Sequence, residues 1–271
     1  GGVYDQIGGG FHRYSTDGQW IVPHFEKMLY DNAGLLSNYV HAWQVTQMPL
    51  FRETAEGILA WAEEVLSDRD RGGFFTSQDA DVGLDDDGDY FTWTLDELRK
   101  ALPAEEARVL ALRYDVGEKG EMHHDPERNV LYVAATTEDI AAAVSLPQDR
   151  VNALLSSGKA RLKAARGKRR APAVDRTMYA SWNAMMISSA LDAATALGRE
   201  DVRTSALRSL ERLWNRLWTQ DKGMWHALAG NKRKVHGLLE DQIFMVDALL
   251  AAQTATGDPL WLRRAQEVMD Y

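Results

Sequence analysis

The chain has 271 residues, a mass of 30.4 kDa, no cysteine, a net charge of −9 and an isoelectric point near 5.3. That length is enough to bury a real core, as one large domain or two ordinary ones, and the missing cysteines exclude disulfides, thiolate metal sites and a redox dithiol, which fits a reducing, cytoplasmic setting. The acidic balance argues against a general nucleic-acid binder, and no run approaching 18 apolar residues, basic leader or apolar signal region is present to suggest a membrane partner.

In chain order, the first dense stretch is GGGFHRYSTDGQWIVPHFEKMLYDN, from Gly8 to Asn32. It opens on a glycine turn ending at Phe11 and runs into a helix whose Leu29, Ala33, Leu36, Val40 and Trp43 share one face. The connector TQMPLF stops that helix, a second follows, and DRGGFFT ends it in a glycine turn. Next comes an acidic loop from Asp79 to Asp89, a strand-like Tyr90-Phe91-Thr92-Trp93, helices from Asp96 and through Glu105 to Tyr114, a strand-like Val130 to Ala134, and a helix over Gln148 to Ala165. Trp182-Asn183 then heads another helix, LGREDV stops it, and Leu207, Leu210, Trp214 and Leu217 mark its partner. After the turn DKGMWHA, Asp241-Gln242 heads a third such pair, joined through TGDPLW.

These pieces form a repeat. When Asn32, Asn183 and Gln242 are aligned, Pro49, Glu200 and Pro259 fall seventeen positions later, and Phe74 and Trp225 fall forty-two positions after the first two. The unit is an αα-hairpin with an inner helix rich in small residues. The 59-residue step from Asn183 to Gln242 exceeds the roughly 34-residue period of tetratricopeptide-type solenoids, so a toroid of long hairpins is expected. The step from Asn32 to Asn183 is much longer, which places an α+β insertion over residues 76–180 and the hairpins over 1–75 and 181–271. Antiparallel helices bring the long connections, residues 9–30, 73–181 and 223–240, to one face, the expected place for chemistry.

The segments GGGFHRYSTDGQWIVPHFEKMLYDNAGLL, GGFFTSQDADVG, YFTWTLDEL, SWNAMMISSAL and LLEDQIFMVDALL resemble the spermatogenesis-associated protein 20-like family, which joins a thioredoxin-like domain to a six-hairpin glycosidase-like toroid. The resemblance spans nearly the whole chain. It implies an all-α, (α/α)6 fold related to sugar epimerases and glycoside hydrolases, no settled activity, and a thioredoxin-like domain as neighbour in the full-length protein. Two departures stand out: the thioredoxin-like part is absent from this chain, and Ala184 replaces the glycine of the family's Trp-Asn-Gly segment. Because the chain stops inside the second helix of a hairpin, the toroid is expected to be incomplete here.

The residues suggest acid-base chemistry on a sugar or sugar-like metabolite. His12 and His24 are the paired histidines that proton transfer at neutral pH would use, and Asp79 and Asp81, which sit on no predicted helix, are the carboxylates that glycoside hydrolysis would require. Arg13, Tyr14, Glu26, Lys27, Asn183 and Glu240 are candidate substrate contacts, and Trp20, Trp182 and Trp225 candidate stacking platforms. Each has a plainer alternative: His12 and His24 knit loops together, Glu26 and Lys27 occupy a first helical turn, the tryptophans pack a core. For Asp31 and Asp241 the plainer one, helix capping, is preferred. Asp85, Asp86, Asp87 and Asp89 lack the spacing of a calcium loop, and adjacent His123 and His124 would point opposite ways on a strand, so no metal or cofactor is expected. The basic run from Lys159 to Arg170 is read as a solvated helix end. A non-catalytic toroid serving the thioredoxin-like domain is the competing expectation.

Overall fold

The computed structural model describes residues 1–83 and 86–271. Ten helices occur among them: α1 (Leu29–Thr46), α2 (Pro49–Trp61), α3 (Leu95–Ala101), α4 (Ala104–Tyr114), α5 (Thr137–Val144), α6 (Gln148–Arg166), α7 (Ala180–Leu197), α8 (Glu200–Leu217), α9 (Leu239–Thr256) and α10 (Pro259–Met269). Short strands decorate them: β1 (Tyr14–Ser15), β2 (Pro23–His24), β3 (Lys27–Met28), β4 (Ser77–Gln78), β5 (Val174–Asp175), β6 (Met178–Tyr179), β7 (Trp218–Thr219), β8 (Gly223–Ala229) and β9 (Lys232–His236). The chain divides into two compact units, one of Gly1–Glu26 with Asp79–Ala173, the other of Lys27–Gln78 with Val174–Tyr271.

The second unit holds the three hairpins of the toroid: α1 with α2, α7 with α8, α9 with α10. Its inner helices lie side by side in the order α1, α7, α9 and run parallel. Tyr30 meets Trp182 and Ser189 Oγ donates to Ala33 O near the start of that sequence, while Asp192 feels both His41 and Asp247 further along. Buried alanines and serines of α7, including Ala184, Ser189, Ala190, Ala193 and Ala194, are what let both neighbours approach.

The repeat holds at the level of single bonds. The side-chain amides of Asn32, Asn183 and Gln242 each donate to the carbonyl four residues back, those of Met28, Tyr179 and Leu238. Fifteen positions on, Gln47, Gly198 and Gly257 each take the left-handed conformation that ends the inner helix, and Pro49, Glu200 and Pro259 begin the outer one. Asn183 also accepts from Phe74 N at 2.7 Å and donates to Phe74 O at 2.9 Å; Gln242 accepts from Met224 N at 3.1 Å. The amide thus pins the glycine turn that closes the preceding hairpin, where Gly72, Gly73 and Gly223 adopt φ of 85°, 83° and 65°. Asn183→Ala would orphan both buried backbone groups of Phe74. It is expected to cost about 1–3 kcal/mol in urea unfolding, with an unchanged midpoint counting against the clamp.

The first unit is built mainly from helices. Trp93, Leu98, Leu110, Tyr114, Ile140, Val151, Leu154 and Leu162 fill a core among α3 to α6, and Phe25, Ala80, Phe91, Met122 and Val130 form a second cluster. Residues 1–26 cluster with 79–173 in this unit. The strand-like runs at Tyr90–Trp93 and Val130–Ala134 contain no strand; the β content there is a single bridge, Trp93 with Asn129. An overlooked helix, α5, follows a complete capping box of Thr136 and Asp139.

The basic run is solvated at Arg161, Lys168 and Arg170 but not at Arg166 and Arg169. Arg166 is buried and paired through Nη1 with both Asp5 oxygens, at 2.9 and 3.0 Å, and Arg161 pairs with Glu106. Arg169 donates to the carbonyls of Asp89, Tyr90 and Thr92 and to Glu97, with its guanidinium 3.9 Å from the Trp93 ring centre. Arg169 thus satisfies carbonyls of a loop that forms no strand there.

Candidate functional site

In the first unit, the turn between β1 and β2 is tied by Asp17, whose carboxylate accepts the backbone N–H groups of Gln19, Ile21 and Val22. Desolvation pushes this carboxyl up, but the backbone donors outweigh it and hold it below the ordinary range. The turn presents Trp20 in the left-handed region at φ 63° and 62% exposed, so this tryptophan packs no core. His12 lies buried, edge-on to Phe25 and Phe91 at 5.2 and 4.8 Å, and its Nδ1 is 2.7 Å from Phe25 O. A carbonyl only accepts, so Nδ1 carries the proton. That surrounding is the loop-knitting one. His24 stacks on Tyr14, its cross-strand partner, at 5.0 Å, and its Nε2 is 3.7 Å from Glu26, which also receives Arg13 at 3.2 Å. This network is partly open to solvent.

Asp79 is exposed and accepts from the next residue's N–H. Asp81 is half-buried and accepts from Gly88 N; burial pushes its carboxyl up, Gly88 partly opposes this, and Asp86, Asp87 and Asp79 add to the rise, the direction a general acid requires. Asp85 lies outside the described residues. The rest of the acidic loop is internally paired rather than freely solvated: Asp86 accepts from Val82 and Asp89 N–H groups, and Asp89 meets His124 at 2.8 Å and Arg128 at 3.1 Å. Among the described residues, no group of three or more His, Cys, Asp and Glu is placed to hold a metal ion.

In the second unit, Glu26's neighbour Lys27 is not in a helical turn but in β3, buried, with its ammonium 5.5 Å from the Trp61 ring centre. Asp31 and Asp241 are not N-caps either; the caps are Met28 and Leu238, without side-chain bonds. Asp241, fully buried, instead accepts from Ser181 N of the neighbouring helix at 3.1 Å and faces His226 of β8, whose Nδ1 lies 2.9 Å from Oδ2 and 3.2 Å from Oδ1. Burial raises the Asp241 carboxyl above its ordinary range, with His226 and Ser181 opposing the shift. With the carboxyl ionised, it holds the proton on Nδ1 and leaves the Nε2 lone pair free to act as a base.

A row of aromatic rings runs from this pair. Tyr179 is 5.0 Å from His226 and 4.8 Å from Trp182, which in turn is 4.7 Å from Tyr30. The five residues come from the starts of α1, α7 and α9, the strand before α7, and β8. All occupy the loop ends of the parallel inner helices. Asn183 is on the same turn but buried, with its amide engaged by backbone; Glu240 is exposed beside Asp241.

This arrangement of long parallel inner helices with loops at one end is shared with solved structures. The cellobiose 2-epimerase of Spirochaeta thermophila matches 98% of this chain and 47% of its own with a TM-score of 0.58 at 14% identity, a likeness of fold. No family model matches. Spermatogenesis-associated protein 20 of mouse and of human is 34% identical over 300 residues, covering 100% of this chain. The chain is a relative of the toroid part of spermatogenesis-associated protein 20. It spans 38% of the length of those two relatives. An uncharacterized protein of Caenorhabditis elegans is 28% identical over 99% of the chain. No helix among the described residues is long and apolar enough to cross a membrane.

Sequence reasoning passed over His226, Tyr179 and Tyr30. The glycine turn DKGMWHA supplies Trp225 as a candidate, but His226 beside it is not singled out, and helix capping is preferred for Asp241. The available signal was the repeat itself: His226 follows the ring aligned with Phe74 and has Phe75 as its counterpart, so a titratable group appears where the scaffold needs none.

Proposed function

We propose that the toroid binds a sugar or sugar-like metabolite at the loop ends of α1, α7 and α9 and modifies it by acid-base chemistry. The observation that carries this reading is the His226–Asp241 pair beside Tyr179, which continues through Trp182 to Tyr30 as a row of rings. A histidine oriented by a buried carboxylate is a base of defined tautomer, suited to a proton next to a carbonyl, and flat rings offer surfaces for the C–H faces of a pyranose. The structural neighbour being a cellobiose epimerase supports the substrate class through the fold.

The test is a binding screen of mono- and disaccharides by calorimetry and by indole N–H shifts in NMR. Trp182→Ala is expected to weaken a bound sugar by about 2–10-fold, the loss of one ring contact. Sugars that bind with no response to this substitution would remove the site, and binding without turnover would favour the scaffold role beside a thioredoxin-like domain.

A further inference from the structure

The hairpin of β8 and β9 reverses the sign of the molecule. Residues 218–237 carry Lys222, Lys232, Arg233 and Lys234 against one carboxylate, Asp221, in a chain of net charge −9. Every residue of β9 is exposed, and among the described residues none of these four cations forms an ion pair. Elsewhere the chain engages its surface cations repeatedly, as with Arg150 and Glu105 or Arg199 and Asp201.

The cations gather around one ring. Trp225 has Lys222 Nζ at 5.4 Å, the Arg233 guanidinium at 5.9 Å and the His236 ring edge-on at 5.1 Å, and its indole N–H is anchored on Thr219 Oγ1 at 3.3 Å. His236 and Lys234 lie directly across from Trp225 and Ala227, so they share that face of the ribbon. His226 leaves the opposite face, since successive strand residues alternate, and Arg233, across from Leu228, is rooted there too, but its long side chain brings the guanidinium to 5.9 Å from the Trp225 ring. The Trp225 face is therefore separate from the His226–Asp241 pair. A further feature marks the ribbon: Val235, exposed and β-branched, sits at φ 52°. A branched residue there is strained, and strain of this kind concentrates at ligand-binding segments.

We propose that the Trp225 face of this hairpin is a binding subsite for a phosphorylated sugar, the ring stacking on the indole and the phosphate held by Lys222, Arg233 and Lys234. The anionic part of the assignment stands on the hairpin alone; the sugar part rests on the reading of the toroid given above. Phosphate could equally arrive on a nucleoside, so the probes separate the two sources. The plainer account of the lysines is that they guard an edge strand against pairing with another chain.

The experiment uses the full chain and NMR titration of the Trp225 indole N–H, assigned from Trp225→Phe, with glucose 6-phosphate, glucose, inorganic phosphate and adenosine monophosphate as probes. Glucose 6-phosphate is expected to bind at least tenfold tighter than glucose or phosphate alone, with affinity falling as salt rises. The double variant Lys222→Gln with Arg233→Gln should lose at least tenfold for glucose 6-phosphate. Equal binding of glucose and its phosphate would overturn the subsite, as would intact binding in the double variant. Increased self-association in Lys232→Gln with Lys234→Gln, without loss of binding, would assign those lysines to edge protection and overturn the proposal's phosphate cradle. Preference for adenosine monophosphate would overturn the sugar class while leaving the anion site, and failure of neutral sugars to bind at Trp182 would overturn the toroid reading and the sugar part with it, the anion part being read separately from inorganic phosphate.

Discussion

Asp5→Ala is expected to be the most destabilising single substitution in the first unit, by about 3–5 kcal/mol, because it leaves the Arg166 charge buried without its carboxylate. The side chains of Arg166 and Asp5 are 7% and 4% exposed, and the guanidinium also lies over the Tyr90 and Phe91 rings at 5.2 and 5.7 Å. Asp5 holds more than the arginine: its Oδ1 accepts the N–H groups of Ile7 and Gly8, fixing the turn that enters the unit. One substitution therefore orphans a charge and two backbone donors. Arg166→Met is expected to cost less, since the remaining carboxylate keeps its two N–H partners and methionine fills much of the apolar stem's volume. Urea unfolding followed by circular dichroism measures both, and an Asp5→Ala protein within 0.5 kcal/mol of the parent, on the order of an ordinary surface change, would show that the pair is dispensable.

The hairpins were legible in the sequence because each carries its own local instructions. Asn32, Asn183 and Gln242 recur at fixed distances from the helix-ending residues Gln47, Gly198 and Gly257, and both the amide bond to the fourth carbonyl back and the left-handed stop are local. The first unit was less legible. Arg166 and Arg169 read as solvated cations because their partners, Asp5 and the carbonyls of Asp89, Tyr90 and Thr92, lie 77 to 161 residues away in sequence. Periodicity carries no information about such pairings. The same limit applies to the candidate site. Asp241 resembled a cap because a carboxylate at a helix start usually is one, and only the neighbouring helix, through Ser181, and the strand, through His226, reveal its different use.

Under the acid-base function proposed above, His226→Ala is expected to lower turnover by about 10²–10⁴-fold, the usual contribution of a positioned general base. The geometry distinguishes it from the other histidines. His12 has its Nδ1 committed to Phe25 O in an aromatic core, and His24 meets Glu26 at 3.7 Å, beyond a good hydrogen bond, on a partly solvated hairpin. Only His226 among these three has a fully buried carboxylate within 2.9 Å to fix which nitrogen is protonated. Asp241→Asn should therefore reduce turnover too, but by less, because an amide oxygen can still accept from Nδ1–H while the flipped amide would present a donor to it and strand the tautomer. Substrate affinity should fall little in either variant if Trp182 and Tyr30 supply the binding surface, so the loss should appear in kcat rather than KM. Should His24→Ala abolish turnover while His226→Ala leaves it intact, the chemistry belongs to the Tyr14–His24–Glu26 network of the first unit, and the His226–Asp241 pair is a structural tie between β8 and α9.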